Sequence, residues 1–220
     1  MDTELEMKPD SDFVHEELEP MHRQRWRSNS VRLVYPEIPP HTQSLHLKYS
    51  VYIVVAPLDV TEQSYGVLPH ALPQDKGSIF CRDHTQDKPL HVATTGELPS
   101  TIIIVELLKE RKDVMVHDRV ALHDTKGVEI LNDEPKCRVY RLTLHEDESD
   151  DLSTTISLDL AIAAVMVAAD DCKGEITTAD DLKADTKKLS LQIADDTQLA
   201  AGLFSMKAIA KTQFGLTEIY

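Results

Sequence analysis

The stretch "TIIIVELL", residues 101–108, decides the fold class that this sequence predicts. Its run of β-branched residues from Ile102 to Val105 is typical of a β-strand, because branched side chains pack well on a pleated surface. The run is apolar at consecutive positions, so both faces of the strand would be buried. We therefore predict that residues 101–108 form a central strand of a sheet.

Similar short apolar stretches occur on both sides of this strand, between residues 31 and 145, and each is bounded by Gly, Pro, Asp or Asn. They are "VRLVY" (31–35), "LHLKYSVYIVVA" (45–56), "GSIFC" (77–81), "PLHVAT" (89–94), "DVMVHDRVALH" (113–123), "VEIL" (128–131) and "CRVYRLTLH" (137–145). Short strands separated by turns, without a helical period between them, favour an antiparallel β-sandwich-like or barrel-like body. The sequence shows no internal repeat of useful length.

The pattern changes after residue 152, where the sequence predicts about three helices. The segment 153–169 is apolar nearly all round, which is typical of a buried helix. Thr178 has the spacing of a capping box and would open a second helix. The segment "TQLAAGLFSMKAIAK" (197–211) would form a third. The predicted fold class is therefore α+β, with a β-rich body followed by a helical C-terminal part.

Charge is distributed unevenly along the 220 residues, whose net charge is −15. Residues 1–20 hold eight acidic side chains and one lysine, and "EDESDD" (146–151) holds five more. Such charged segments with few apolar residues are typical of disordered leaders and linkers. The predicted regions are a disordered acidic leader (1–21), a β-rich body (22–145), an acidic linker (146–152) and a helical C-terminal part (153–220).

The cysteines and the apolar runs bear on the compartment. Cys81, Cys137 and Cys172 are odd in number and widely spaced, which favours reduced thiols in a soluble intracellular protein. The N-terminus lacks the apolar core of a signal peptide. The longest apolar run (156–169) is too short to span a bilayer and contains Asp159. We predict no membrane span and a cytoplasmic or nuclear location.

The segment "HRQRWRSNSVR" (22–32), with "YPEI" (35–38) after it, holds the interaction candidates. Arginines beside a tryptophan could clamp phosphates or stack on a base. The same arginines could instead pair with the acidic leader or linker, which is the interpretation we favour. "YPEI" resembles the short tyrosine–proline motifs that recruit budding machinery to viral structural proteins. The candidates are Arg23, Arg25, Trp26, Arg27, Arg32, Tyr35, Pro36 and Ile38.

One stretch, "AADDCKGEITTADDL" (168–182), resembles the calcium-binding loop of an EF-hand through Gly174 and Ile176. An EF-hand needs oxygen ligands at its first and fifth positions, and these fall on Ala169 and Lys173. The stretch therefore predicts a hinge between two helices instead of a calcium site.

Histidines could also form a metal site. "VHDRVALHD" (116–124) contains His117 and His123, each followed by Asp, but six strand residues separate two side chains by about 20 Å. "CRDH" places Cys81 and His84 at a spacing that could begin a zinc site, with His91 nearby, but no second pair of ligands completes it. We predict no metal site and no cofactor.

Motifs of nucleophilic catalysis and of phosphate binding, such as G-x-S-x-G and G-x-x-x-x-G-K, do not occur in this sequence. The leading prediction is therefore a non-enzymatic structural or assembly protein, self-associating and virion-associated in a matrix-like or capsid-like role, with proteins as partners. Two alternatives stay open. One is a nucleic-acid-associated accessory protein that uses residues 22–32, and the other is a metal-dependent enzyme that uses surface His and Asp groups.

Overall fold

The computed structural model of this chain is built from β-strands, and the residues that it describes contain no helix. The described residues are 22–27, 31–64, 66–85, 90–94, 96–108, 126–134, 136–144, 155–160, 164–168, 173–178, 189–192, 197–199, 202–208 and 212–219. No helix long and apolar enough to cross a membrane is found within these ranges.

The first nine strands of the described chain form two antiparallel sheets that face each other, and we call this unit the first barrel. Its five-stranded sheet has the order β1-β2-β9-β4-β7, and its four-stranded sheet has the order β3-β8-β5-β6. The strands are β1 (His22–Arg27), β2 (Val31–Ile38), β3 (Gln43–His46), β4 (Tyr49–Val54), β5 (Val60–Ser64), β6 (His70–Ala71), β7 (Ile79–Asp83), β8 (Leu90–Thr94) and β9 (Ser100–Leu107).

The remaining strands of the described chain form a second pair of antiparallel sheets, the second barrel. Here the five-stranded sheet has the order β10-β11-β18-β13-β16, and the four-stranded sheet has the order β12-β17-β14-β15. The strands are β10 (Val128–Asp133), β11 (Cys137–Leu144), β12 (Thr155–Leu160), β13 (Ala164–Ala168), β14 (Lys173–Thr178), β15 (Leu189–Gln192), β16 (Thr197–Leu199), β17 (Gly202–Ala208) and β18 (Thr212–Ile219).

The two barrels repeat one topology. When the strands of each barrel are numbered from its own first strand, both five-stranded sheets read 1-2-9-4-7 and both four-stranded sheets read 3-8-5-6. The chain is therefore a tandem duplication at the level of strand pairing, although the sequence displays no repeat. Pairing of β11 with β18 joins the two sides of the predicted linker at 146–152 in one sheet.

The predicted α+β fold with a helical C-terminal part is wrong. The segment predicted as the first helix contains β12 and β13, and the third contains β16 and β17. The predicted hinge at 168–182 contains β14, in which Gly174 pairs with both Leu191 and Ala208. Alanine, leucine and methionine favour helices locally, but pairing with neighbouring strands overrides so weak a preference. The predicted leader (1–21), the predicted linker (146–152) and the predicted strand at 113–123 lie outside the described residues.

Two apolar clusters cover the two faces of the first barrel's five-stranded sheet. Within β4, Tyr52 and Val54 belong to the inner cluster, between the two sheets. Tyr49, Val51 and Ile53 belong to the outer cluster. Alternate residues of a strand point to opposite faces, and every residue of β4 is buried because both faces are covered.

The outer cluster joins the two barrels, since Cys137 and Val139 of β11 pack into it. Polar contacts support the joint, because the hydroxyl of Tyr49 donates a hydrogen bond of 2.9 Å to Glu134 and accepts one of 2.8 Å from Asn132. This packing leaves the inner face of the five-stranded sheet to line the interior of the first barrel.

Candidate active site in the first barrel

A cavity lies between the two sheets of the first barrel, with about 30 Å³ of space for the centres of water-sized molecules. Such a volume holds about two water molecules or a few ligand atoms. Its apolar walls are Ile38, Leu58, Val60, Leu72, Phe80, Val92, Ile102 and Ile104. His46, Tyr52, Glu62 and Arg82 complete the lining. Apolar walls with a few convergent polar groups are typical of small-molecule sites.

Tyr52 and His84 form a hydrogen-bonded pair of titratable side chains, between which a proton can move. Tyr52 lies in the middle of β4, and its side chain points into the barrel because Val51 and Ile53 point outward. Its hydroxyl is 3.1 Å from Nε2 of His84, which follows the end of β7. Tyr52 is 5% exposed and His84 is 3% exposed, so the pair is shielded from bulk water.

His46 is the second imidazole of this site and the last residue of β3. Its ring centroid lies 5.9 Å from that of Tyr52 and 6.1 Å from that of His84. Nε2 of His46 is 3.1 Å from the hydroxyl of Ser44, two residues earlier on the same face of β3. His22, the first residue of β1, stacks edge-on against His46 at 5.5 Å. Four separate elements therefore bring three buried histidines and a tyrosine together.

Glu62 and Arg82 form the charged part of the cavity wall. The guanidinium of Arg82 donates hydrogen bonds of 3.0 to 3.2 Å to both carboxylate oxygens of Glu62. The carboxylate also lies 3.0 Å from Nε2 of His70, its neighbour in the register of β5 and β6. Because Glu62 is 5% exposed, the charge of Arg82 is needed to offset its desolvation. The wall thus carries a compensated ion pair of a buried carboxylate and a partly exposed guanidinium.

A second ion pair lies farther along the inner face. Arg32 of β2 donates to the carboxylate of Glu106 of β9, and the two residues are direct neighbours in the strand register. Ser50 of β4 is the next neighbour of Glu106, and Arg82 of β7 is the neighbour of Ser50. A polar row therefore crosses four strands beside the cavity.

The predicted arginines separate into two environments. Arg23, Arg25 and Arg27 are exposed on β1, the edge strand of its sheet, and the guanidinium of Arg25 lies 5.6 Å from the ring centroid of Tyr35. Arg32 is buried against Glu106 and does not belong to this exposed group.

The other interaction candidates lie in β1 and β2. The backbone of Trp26 belongs to β1. Tyr35 is half-buried and packs against the outer cluster, and Pro36 is buried. Ile38 lines the cavity. "YPEI" is therefore part of a paired strand.

Of the metal-ligand candidates, Cys81 and His84 have described side chains, and these lie on different sides of the sheet. Cys81 packs against the outer cluster, whereas His84 bonds to Tyr52 on the inner side. His91 lies in β8, and residues 116–124 fall outside the described ranges.

Sequence reasoning missed Tyr52, Glu62 and Arg82, and it considered His84 only as a zinc ligand. A usable signal was present in Glu106, a charge within the apolar run "TIIIVELL", because a buried charge requires a partner inside the protein.

No protein-family model matches the sequence, and no curated protein matches it. Solved structures do match. A cupin 2 conserved barrel domain protein from Leptotrichia buccalis is 8% identical, with a TM-score of 0.55 over 90% of this chain and 88% of that one. AerE from Microcystis aeruginosa is 8% identical, with a TM-score of 0.63 over 93% and 95% of the two chains.

A third similar structure is HEPD from Streptomyces albus, with its substrate 2-hydroxyethylphosphonate and Fe(II) bound. It is 10% identical, with a TM-score of 0.61 over 90% of this chain and 70% of that one. The prediction of a non-enzymatic, virion-associated structural protein is wrong, because the similar structures are cupin-fold proteins and one of them is an enzyme with its substrate. The chain has the fold of a cupin-like barrel, and this strand topology occurs twice along the described chain.

Proposed function

We propose that this protein is an enzyme whose first barrel binds a small neutral organic molecule and transfers protons on it. The observation that carries the proposal is the apolar cavity onto which His46, Tyr52 and the Glu62–Arg82 pair converge. Titratable groups that face an enclosed apolar space are the usual components of general acid–base catalysis.

The described residues do not fit a catalytic metal. They contain no group of three or more His, Cys, Asp and Glu side chains that could hold a metal ion. Nε2 of His46 is occupied by Ser44, and Nε2 of His84 is occupied by Tyr52. Glu62 is occupied by Arg82 and His70. Residues 146–220 contain no histidine, so the second barrel's strands from β12 onward offer no imidazole ligand. The proposed proton transfers therefore use the side chains alone.

Tyr52 and His46 are the catalytic residues of the proposal, since both line the cavity. Tyr52 gives its hydroxyl proton to the carbonyl oxygen of the substrate. Nδ1 of His46 accepts the proton that leaves the adjacent carbon, since its Nε2 is bonded to Ser44, so that an enol forms. His84 is a positioning residue that orients the Tyr52 hydroxyl and returns a proton to it across the 3.1 Å contact. Return of the proton from His46 to a different carbon, while the enol hydroxyl proton passes back through Tyr52 to His84, completes an isomerisation or tautomerisation.

The charge of the cavity supports a neutral substrate. Arg82 and Glu62 offset each other in a bidentate pair, so neither is available to bind an opposite charge without losing its partner. Eight of the lining residues are apolar, which favours a hydrocarbon body with one carbonyl or hydroxyl group.

Exchange of carbon-bound protons with solvent tests the proposal without knowledge of the natural substrate. Purified protein in D₂O is incubated with a panel of small neutral ketones, and loss of the proton signal next to the carbonyl is followed by NMR. We expect catalysed exchange for at least one ketone, and a decrease of about 10²-fold or more in Tyr52→Phe. Tyr35→Phe makes the same chemical change outside the cavity and should leave the rate unchanged. Absence of exchange across the panel, or full activity of Tyr52→Phe, would overturn the proposal.

A second candidate role is contact with a polyanion such as single-stranded nucleic acid, which is favoured by the exposed Arg23, Arg25 and Arg27 on an edge strand. Its test is binding of a single-stranded oligonucleotide at rising salt, where a steep decrease should be lost when the three arginines become alanine. Self-association and other protein partners remain predictions.

A further inference from the structure

The surface of the first barrel carries an open groove with about 720 Å³ of space for water-sized molecules. Three loop segments form it, at residues 57–59, 73–75 and 96–98. Leu58 lines this groove and also lines the interior cavity, and it is the residue that the two linings share. Its side chain therefore stands between the outside of the barrel and the candidate active site.

Leu58 is held in this position by its backbone. Its N–H donates to the carbonyl of Gln74 at 2.8 Å, and the N–H of Gln74 donates back to the carbonyl of Leu58 at 2.8 Å. Leu58 is 6% exposed. A side chain on a backbone fixed by two hydrogen bonds can leave the passage by a change of rotamer, without movement of the loop.

The neighbouring loops are closely packed around Leu58. The N–H of Gly96 donates to the carbonyl of Asp59 at 3.4 Å. A Cβ atom at position 96 would lie 3.2 Å from Cβ of Asp59, so the glycine permits this approach of the two loops. This close approach of the two loops forms the wall of the groove beside Leu58.

The charged side chains that line the groove are all acidic. Asp59, Asp75 and Glu97 are exposed there, and the described lining contains no Lys, Arg or His. Leu98 adds an exposed apolar surface at the outer side. Carboxylates at a mouth repel an anionic ligand and admit a neutral or cationic one.

We propose that this groove is the entrance to the cavity, and that Leu58 is the gate that sets the size and rate of entering molecules, which are neutral or cationic. This inference rests on the proposed function, because it assumes that the cavity receives a small molecule. Leu58 is a specificity-determining residue and takes no part in proton transfer.

The test compares two leucine truncations of equal size. Leu58→Ala opens the wall between groove and cavity, whereas Leu72→Ala enlarges the cavity without touching the groove. The probe is acetone, a neutral ketone small enough for a cavity of about 30 Å³, and its association rate is measured by ligand-observed NMR exchange. We expect Leu58→Ala to raise the association rate about tenfold, equivalent to a barrier lower by about 1.4 kcal/mol. Leu72→Ala should leave that rate within about twofold of wild type, since the gate is intact.

A larger side chain gives a second measurement if Leu58→Ala does not fold. Leu58→Phe should slow entrance of the same probe. Equal association rates in both Leu58 variants and wild type, or no binding to any of the proteins, would overturn the gate. Acetate, a small anion, tests the charge selection, and Glu97→Lys should accelerate its association. No acceleration would overturn the charge selection.

Failure of the gate and failure of the proposed function give different results. Tyr52→Phe keeps the entrance and removes the hydroxyl, so it should bind acetone at the wild-type rate, with proton exchange slower by about 10²-fold or more. Entrance controlled by Leu58 in a protein that catalyses no exchange would refute the enzyme and retain the gate. Exchange that persists with unchanged entrance rates in the Leu58 variants would refute the gate alone.

Discussion

The guanidinium of Arg32 and the carboxylate of Glu106 form a hydrogen-bonded ion pair inside the first barrel, with one of the bonds at 2.8 Å. Their side chains are 4% and 0% exposed. Glu106 ends an apolar run on β9, and the strand register places Arg32 directly beside it. Each charge therefore depends on the other, because water does not reach either.

Removal of one partner of this pair should destabilise the protein strongly. We expect Glu106→Gln to lower the free energy of unfolding by about 3–5 kcal/mol, because the Arg32 charge would stay buried without the Glu106 carboxylate. Urea denaturation measures the change. Glu129→Gln breaks the exposed pair with Arg141 and should cost about 1 kcal/mol or less. Equal effects of the two substitutions would contradict the assignment of the buried pair.

The hydroxyl of Tyr49 should be required for the joint between the barrels. Tyr49→Phe leaves Asn132 and Glu134 without their shared partner, at a cost of about 1–3 kcal/mol. Thermal and urea unfolding would measure it, with Tyr35→Phe as the control for the same chemical change. A loss in Tyr49→Phe no greater than that in Tyr35→Phe would show that the hydroxyl does not stabilise the joint.

The thiol of Cys81 should react slowly with alkylating agents in the native protein. Burial raises the pKa of the Cys81 thiol from 9.0 to about 11. The thiolate is the reactive form, so alkylation by iodoacetamide near pH 8 should be about 100-fold slower than for a thiol of ordinary pKa. Peptide mapping by mass spectrometry follows Cys81 specifically. The rate should keep rising with pH up to about 11 in the native protein, and the urea-unfolded chain should level off near 9.0. A native profile that levels off near 9.0 would contradict the raised pKa.

His70 should connect the cavity with solvent protons. Its imidazole is half-exposed, and it touches the carboxylate of Glu62, which lines the cavity. If the proposed proton transfer occurs, His70→Asn should slow deuterium exchange at low buffer concentration, and added imidazole should restore the rate by carrying the proton instead. His41→Asn changes another exposed histidine and serves as the control. Lack of rescue by imidazole would indicate a purely structural contact.

Local sequence patterns located the strands of the first barrel better than those of the second. "TIIIVELL" predicts a central strand, and β9 does lie in the middle of its sheet, between β2 and β4. "LHLKYSVYIVVA" reads as one strand but contains the end of β3 and all of β4, which belong to different sheets. An apolar run alone does not show where a chain passes from one sheet to the next.

The segments that contain β12, β13, β16 and β17 are predicted as helices because they are rich in alanine and leucine. "TISLDL" alternates apolar and polar residues from Ile156 to Leu160, which is a strand period. The alanines that follow, with their high helix propensity, extended the apolar segment and concealed this alternation. In the structure, β12 is held by pairing with β17, a contact distant in sequence.

The candidate site illustrates the same limit. His46, Tyr52 and His84 come from three different elements, and no spacing in the sequence relates them. The sequence by itself determined which short segments are apolar and β-branched, since strand preference is a local property of side chains. The tertiary structure alone decided the order of the strands in each sheet and the side chains that face the interior. Those choices depend on burial between distant segments, because a polar group enters an apolar interior only where another segment supplies its partner.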